Sequence, residues 1–468
     1  MTTLRSVDLV VLGSGPSGAA IAERCARSGL DVTLVETREV GGTCALRGCN
    51  PKKVLVEAAD LLDRARRAEG KLVRFEGARL EWPELADFVA TFTEPVTEKS
   101  RGKLEKAGVR VLNGRPRFTG PGSLVVESGD DSHALEAKQF VLATGARPRP
   151  LDFDGAELLT TSEAFLKLRE LPQRILFVGG GFISFEFAHV AARAGADVAI
   201  WHSGDRPLGG FDGDLVDALL ERTRELGIEV RLGAAVDRVA RTEGSAKGSL
   251  EASSASSASS ASSEHREAFD MVVHGAGRSP SLDGLDLAAA GVDVDDDGRG
   301  GVIVDEFLRS PGNRRVLAVG DCASTGHAPL TPVANAHAHA VARNLIAGED
   351  RHLPDVKAVA SALFTVPPLA RVGLDEAQAR EAGQQVDIRS GDWSRFGSVR
   401  KVVEPCARYK LLFAADDGPL LGAHLLGPAA HEVINLCALA IRAEMTAADL
   451  KATPLAFPTA GHDLRSMV

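Results

Sequence analysis

Two segments of this chain repeat the order apolar strand, glycine turn, helix, strand, and no other feature narrows the fold as much. The first runs from Val7 to Leu12, through Gly13-Ser14-Gly15-Pro16-Ser17-Gly18, along a helix to Ser28 and into a strand from Asp31 to Val35. The second is Arg174 to Val178, Gly179-Gly180-Gly181, a helix through Arg193 and a strand from Asp197 to Trp201. A turn of this kind opens a helix whose positive end receives a pyrophosphate, so each segment reads as a dinucleotide-binding unit and the pair predicts two nucleotide sites. In the first, Gly13 permits the tight turn, Gly15 lets the backbone approach a phosphate, and Gly18 lets helix and strand pack closely. Glu36 ends the next strand, 23 residues after Gly13, where a carboxylate accepts hydrogen bonds from an adenosine ribose.

A chain of 468 residues exceeds one ordinary core and predicts two to four domains. The net charge of −10, with no basic stripe, argues against a nucleic-acid partner. No apolar run is long enough to span a bilayer, and the amino terminus passes straight into the glycine turn without the pattern of a signal peptide. A cytoplasmic protein with no membrane partner is the expectation. Six cysteines are too few for a secreted disulfide framework, so a close pair among them reads as redox or metal chemistry. Cys25, Cys322, Cys406 and Cys437 stand alone and read as buried small hydrophobes.

Between the glycine motifs, residues 54 to 70 predict an amphipathic helix and 138 to 150 a strand ending in the turn Ala143-Thr144-Gly145. Residues 252 to 263, rich in Ser and Ala, show no apolar periodicity and predict a flexible loop between strands of the second nucleotide domain. From about residue 350 the pattern turns to mixed strands and helices with no glycine fingerprint, which predicts a separate carboxy-terminal domain.

Just beyond Glu36 the chain reads Gly41-Gly42-Thr43-Cys44-Ala45-Leu46-Arg47-Gly48-Cys49-Asn50-Pro51-Lys52-Lys53. Two cysteines so spaced can close a small disulfide loop. A metal site would need two more ligands at matching spacing, and none is expected. The segment closely resembles the redox-active stretch of the pyridine nucleotide-disulfide oxidoreductases, the group of glutathione reductase, dihydrolipoamide dehydrogenase and mercuric reductase. The resemblance covers essentially the whole chain: Ala143-Thr144-Gly145, Gly320-Asp321 and Leu330-Thr331-Pro332-Val333-Ala334 follow in the family's order.

The resemblance implies an α/β fold with two Rossmann-like domains, for FAD and NAD(P)H, and an α+β dimerisation domain. Its boundaries would be 1–150 and 276–345 for FAD, 151–275 for NAD(P)H and 346–468 for dimerisation, in a homodimer whose active site is shared across the interface. It implies Cys49 as the charge-transfer thiol facing the flavin and Cys44 as the interchange thiol that attacks substrate. Lys52 falls on the family's lysine beside the flavin N5, and Glu186 on its ion-pair partner. Flavin contacts are implied for Gly13, Gly15, Pro16, Ser17, Gly18, Glu36, Gly42, Thr43, Lys53, Thr144, Gly145, Gly320 and Asp321. Gly277 and Arg278 are further implied cofactor contacts.

Gly179, Gly180 and Gly181 should hold the reductant's pyrophosphate, with Phe182 where relatives often carry an aromatic lid over the nicotinamide pocket. At the end of the next strand an acid would bind the ribose hydroxyls of NADH, whereas cations would accept the 2'-phosphate of NADPH. The chain reads Trp201-His202-Ser203-Gly204-Asp205-Arg206 there. With Trp201 in the acid's place, His202, Ser203 and Arg206 point to NADPH rather than NADH, against the opposing charge of Asp205.

Relatives acting on disulfides or dithiols end in a His-Pro-Thr segment followed by a glutamate, which together move the thiol proton. Here the stretch is Phe457-Pro458-Thr459-Ala460-Gly461-His462-Asp463, and phenylalanine transfers no proton. Either His462 replaces the missing acid/base with Asp463 orienting its ring, or no side chain there exchanges protons. Mercuric reductases add a cysteine pair near the carboxy terminus, and this chain, ending Asp463-Leu464-Arg465-Ser466-Met467-Val468, shows none. The expectation is an FAD-dependent, NADPH-driven reductase of a small disulfide, glutathione-like or formed from a heteroaromatic thione. Reduction of quinones or other acceptors, a dihydrolipoamide dehydrogenase-like activity, and a redox-sensing flavoprotein are the alternatives.

Overall fold

The computed structural model describes residues 4–74, 77–242, 249–256, 265–296 and 300–468. They fall into two units. One comprises Met1–Pro51, Val89–Arg149 and Arg278–Val356, and the other Lys52–Phe88, Pro150–Gly277 and Lys357–Val468.

The first unit is built on a mixed sheet in the order Arg110–Asn113, Val32–Glu36, Leu4–Leu12, Asp131–Leu142, Ser123–Ser128, Arg115–Gly120, with Val316–Ala318 also parallel to Asp131–Leu142. Its centre is parallel: Leu12 lies opposite Val35 on one side and Leu142 on the other. Such strands are covered on both faces, which is why Leu9 to Leu12 form a continuous apolar run, each at most 1% exposed. Helices Pro16–Arg27 and Thr331–Ala347 bury Ile21, Ala22, Ala338 and Val341 in one core with Leu9, Val11, Leu34 and Val141.

In the second unit a four-stranded parallel sheet runs Glu229–Arg231, Asp197–Trp201, Arg174–Val178, Met271–His274. Beside it in sequence, Ala234–Arg241, Leu250–Ser256 and His265–Phe269 form an antiparallel sheet. The expected flexible loop at 252–263 is therefore corrected over residues 252–256, which lie in the middle strand: 252–254 pair on both sides, and 255 and 256 with Ala234–Arg241. Small side chains hid the strand: Ala252, Ser253 and Ser254 are buried without apolar alternation, and Ser253 Oγ donates to Asp237 Oδ1 at 2.6 Å. Residues 257–263 lie outside the described residues. The carboxy-terminal part is a five-stranded antiparallel sheet, Ser361–Leu363, Leu369–Gly373, Leu420–Leu426, Arg408–Ala414, Val386–Asp392, with helix Ala430–Arg442 burying Val433, Ile434 and Cys437 in its core.

Candidate active site

Each glycine loop has backbone that a side chain would block. In the first unit Gly13 adopts φ +103°, and a Cβ there would sit 2.4 Å from the Ala143 carbonyl oxygen. A Cβ on Gly18 would meet the Gly13 carbonyl oxygen at 2.0 Å, so the helix packs hard on the turn. Gly15, by contrast, faces open space within 4 Å and leads into Pro16 at the helix start, with Ser17 buried. Glu36 accepts from the Ser14 amide at 2.9 Å, Ser14 Oγ at 2.6 Å and the Arg38 amide at 2.9 Å. The Thr37 hydroxyl also lies 3.5 Å from Glu36 Oε1, so the roughly four acceptor positions of the carboxylate are all approached and a ribose hydroxyl would replace this long contact. Beside Glu36, a cavity of about 440 Å³ is lined by Thr37, Arg38, Glu39, Val40, Thr97, Arg101 and Asn113. No motif in the sequence marks Thr97, Arg101 or Asn113.

The cysteine segment lies against that loop. Gly42 has φ +73°, and a Cβ there would fall 2.4 Å from the Gly15 Cα. Thr43 and Cys44 belong to the short helix Gly42–Leu46, and Cys49 opens the helix Cys49–Ala68, earlier than the expected start at 54. Thr331 Oγ1, at the start of helix Thr331–Ala347, lies 3.5 Å from Cys44 Sγ and 3.9 Å from Cys49 Sγ. One hydroxyl thus touches both sulfurs. The hydrogen bond with Cys49, then burial, pushes the Cys44 thiol far up, while Thr331 pulls the other way.

Near the strand end Leu142, Thr144 Oγ1 is buried and makes no conventional N/O hydrogen bond among the described residues, and Gly145 has φ +67°. The Arg278 guanidinium donates to the Ala146 carbonyl, and strand Arg278–Pro280 pairs with Ala146–Pro148. Gly277, with φ +108°, ends the preceding stretch of the second unit. Burial pushes the Asp321 carboxyl up, and the Arg278 charge opposes it. The open face at Gly15, the buried Thr144 hydroxyl and the half-buried Asp321 fit FAD: a pyrophosphate, a hydroxyl-bearing chain and a ring would find donors and acceptors there.

In the second unit Lys52 Nζ lies 2.5 Å from Glu186 Oε2, and both side chains are buried. Lys53, implied as a flavin contact, instead reaches the same carboxylate, 2.9 Å from each oxygen, and its ammonium lies 3.8 Å from the Phe364 ring centroid. The Phe364 amide also donates to Glu186, at 2.8 Å. Burial alone would raise this carboxyl, but the two lysines outweigh it and hold it below its ordinary value. Phe182 is half exposed and stacks under Lys52, 4.7 Å from Nζ.

At the second glycine loop Gly179 has φ +105°, and a Cβ there would meet Gly275 O at 2.7 Å, while Gly181 precedes the helix Phe182–Arg193. His202 folds back on the loop, whereas Arg206 is exposed. The Gly180 amide donates to His202 Nδ1 at 3.1 Å, His202 Nε2 lies 3.2 Å from the Arg206 carbonyl, and the Arg206 guanidinium pairs with Asp217 at 2.9 Å. Ser203 and Asp205 are exposed, and Trp201 is fully buried.

At the carboxy terminus the expected orientation of His462 by Asp463 is corrected. Asp463 Oδ2 accepts from Trp393 Nε1 at 2.7 Å and from Ser398 Oγ, because its side chain points into the core of the five-stranded sheet. His462 instead stacks edge-on with Phe457, centroids 5.0 Å apart, and its Nε2 is 3.5 Å from Arg465 Nη1. Phe457 is 78% exposed. Cys25, Cys322 and Cys437 are buried as expected, whereas Cys406 is only part-buried, though burial still pushes its thiol up to about 12. Among the described residues one carboxylate trio, Asp212, Asp214 and Glu376, has metal-like convergence, and Lys410 Nζ sits 2.8, 2.5 and 2.7 Å from its members.

Two sheets, one with a parallel centre and one parallel throughout, each carrying a glycine loop, together with a close cysteine pair, define a nucleotide-dependent dithiol oxidoreductase. Residues 7–340 match the pyridine nucleotide-disulphide oxidoreductase family and residues 359–468 its dimerisation domain. The chain is 33% identical to a glutathione reductase of Burkholderia cepacia, over 97% of this chain and 96% of that one. It is 31% identical to dihydrolipoyl dehydrogenase 2 of Haloarcula marismortui, over 97% and 94%. Among solved structures, the Cu(II) complex of RclA, an HOCl-induced flavoprotein disulfide reductase from Escherichia coli, covers 99% of both chains with a TM-score of 0.86 at 25% identity. The chain belongs to the pyridine nucleotide-disulphide oxidoreductase family. It is a flavoprotein disulfide reductase of the glutathione reductase and lipoamide dehydrogenase type, an enzyme that works with FAD and a pyridine nucleotide. No helix among the described residues is long and apolar enough to cross a membrane.

Proposed function

We propose that this enzyme uses NADPH to reduce a small disulfide whose leaving thiolate is well stabilised, such as that of a heteroaromatic thione or an aryl thiol. Bound FAD supplies the two-electron relay between the nicotinamide and the cysteines. Gly15, Thr144 and Asp321 hold it, Lys52 and Glu186 form the charged pair beside its ring, and Cys49 is the sulfur next to it. Cys44 is the interchange thiol. It opens the substrate disulfide as a mixed disulfide, which Cys49 then resolves.

The observation that carries the substrate class is the exposed Phe457 in place of a proton donor, with Asp463 committed to Trp393 and Ser398. Thiol-disulfide exchange runs faster as the leaving thiol's pKa falls, so a weakly basic leaving group depends least on a donor. The NADPH preference rests on Trp201 standing where an acid would bind ribose, and on Arg206. Its pair with Asp217 is exposed on both sides and is worth about 0–1 kcal/mol, so it yields readily to a phosphate. The division into FAD (1–150, 276–345), NADPH (151–275) and dimerisation (346–468) parts, a homodimer with a shared site, and a cytoplasmic setting complete the proposal.

The test is a panel of alkyl and aryl disulfides with NADPH and with NADH. Higher kcat/KM for aryl or thione disulfides, with NADPH preferred, is expected. Glutathione disulfide turned over as fast as the aryl compounds sinks the substrate class, and NADH preference sinks the nicotinamide assignment. Phe457 also favours a second reading, acceptors such as quinones or Cu(II) that release no thiolate. That reading predicts turnover surviving Cys44→Ser.

A further inference from the structure

Gly320 lies close to both the first glycine-loop helix and the helix Thr331–Ala347. A Cβ on it would sit 3.3 Å from Ser17 Oγ and 3.4 Å from the Ala334 Cβ. Its φ of +67° is one that a glycine adopts freely among many, so something outside the backbone must select it. His337 supplies that contact: the Gly320 amide donates to His337 Nδ1 at 3.1 Å. Because an amide N–H only donates, Nδ1 is the acceptor and the ring proton resides on Nε2.

His337 is 1% exposed, and its Nε2 has no hydrogen-bond partner among the described residues. The ring packs edge-on with His327, centroids 6.3 Å apart. An aliphatic side chain would fill this space without the unmatched Nε2–H but would strip the Gly320 amide of its partner, so what the imidazole adds is its acceptor. Burial, helped by the nearby His327, pushes the imidazole down to about 4, so it remains an acceptor at neutral pH.

We propose that His337 is a positioning residue for FAD: through Nδ1 it holds the Gly320 amide, and with it the adjoining Asp321 carboxyl, in the conformation that receives the flavin. This rests on the assignment of Gly320 and Asp321 to the flavin site. It adds a residue that touches neither cofactor nor substrate.

The test compares His337→Leu and His337→Asn holoenzymes, reading FAD release by flavin fluorescence after dilution and the melting temperature with and without added FAD. Asparagine can place an oxygen near the position of Nδ1, whereas leucine cannot. Losing one net hydrogen bond predicts an FAD Kd raised about tenfold in His337→Leu, a smaller FAD-dependent gain in melting temperature, and a value within about threefold of the parent in His337→Asn. His337→Ala serves as a second acceptor-free variant should His337→Leu fail to fold. Equal losses in the leucine and asparagine variants would mark a packing role and overturn the proposal. Asp321→Asn separates the two readings: unchanged FAD affinity there overturns the flavin-site assignment, whereas weakened affinity there with an unaffected His337→Leu overturns the role of His337 alone.

Discussion

The Trp393 indole N–H donates to Asp463 at 2.7 Å, joining the last residues of the chain to the core of the five-stranded sheet. Asp463 therefore acts as an anchor for the turn that carries Phe457 and His462. Asp463→Ala leaves the Trp393 and Ser398 donors unmatched and should cost about 1–3 kcal/mol in denaturant unfolding. Asp463→Asn, which keeps an acceptor, should cost less; equal losses would refute the anchor.

Phe457→His should raise kcat/KM for alkyl disulfides while leaving aryl disulfides nearly unchanged, since only the basic leaving thiolate gains from a donor. His462→Ala should leave both unchanged. Loss of activity in His462→Ala alone would show that His462 already moves the proton.

Cys44→Ser should abolish NADPH-dependent disulfide turnover while reduction of the flavin itself continues. A thiol titration of the parent enzyme after anaerobic NADPH addition should show newly freed thiols. None appearing would refute a redox-active pair.

Lys410 is 4% exposed and faces Asp212, Asp214 and Glu376, which raise its pKa against the effect of burial. Lys410→Met leaves Asp212 buried without its cation and should destabilise by about 3–5 kcal/mol, read as a shift in the urea midpoint.

Two imidazoles are held down by burial, His337 at about 4 and His189 well below 6.5. Both gain protons more readily in the unfolded chain, so stability falls as pH drops from about 6.5 toward about 4, and on this account the loss per histidine is on the order of 2–3 kcal/mol for His337. Asp321 and Glu404, whose carboxyls burial pushes up, act in the opposite sense. His337→Leu should flatten this part of the stability-pH curve, as followed by urea unfolding at each pH.

Much of the architecture is legible in the sequence because glycine turns between apolar strands leave few alternatives. The strand Arg174–Val178, the helix Phe182–Arg193 and the strand Asp197–Trp201 lie where the pattern places them. Lys52 and Glu186 can be matched through the cysteine motif, and the structure joins them. Side-chain direction is not legible in spacing. Hence Lys53 turns to Glu186, His202 to the Gly180 amide and Asp463 to Trp393. The strand at Leu250–Ser256 was hidden for another reason: serine and alanine carry almost no hydrophobic alternation, and pairing on both edges supplies what the side chains do not.

The 2.4 Å separation between a would-be Gly42 Cβ and the Gly15 Cα makes the cysteine segment and the first glycine turn a single stacked backbone layer. Anyone transplanting redox chemistry between related scaffolds would have to exchange both pieces together, because a foreign cysteine loop bearing any side chain at the Gly42 position would collide with the backbone of the turn at Gly15.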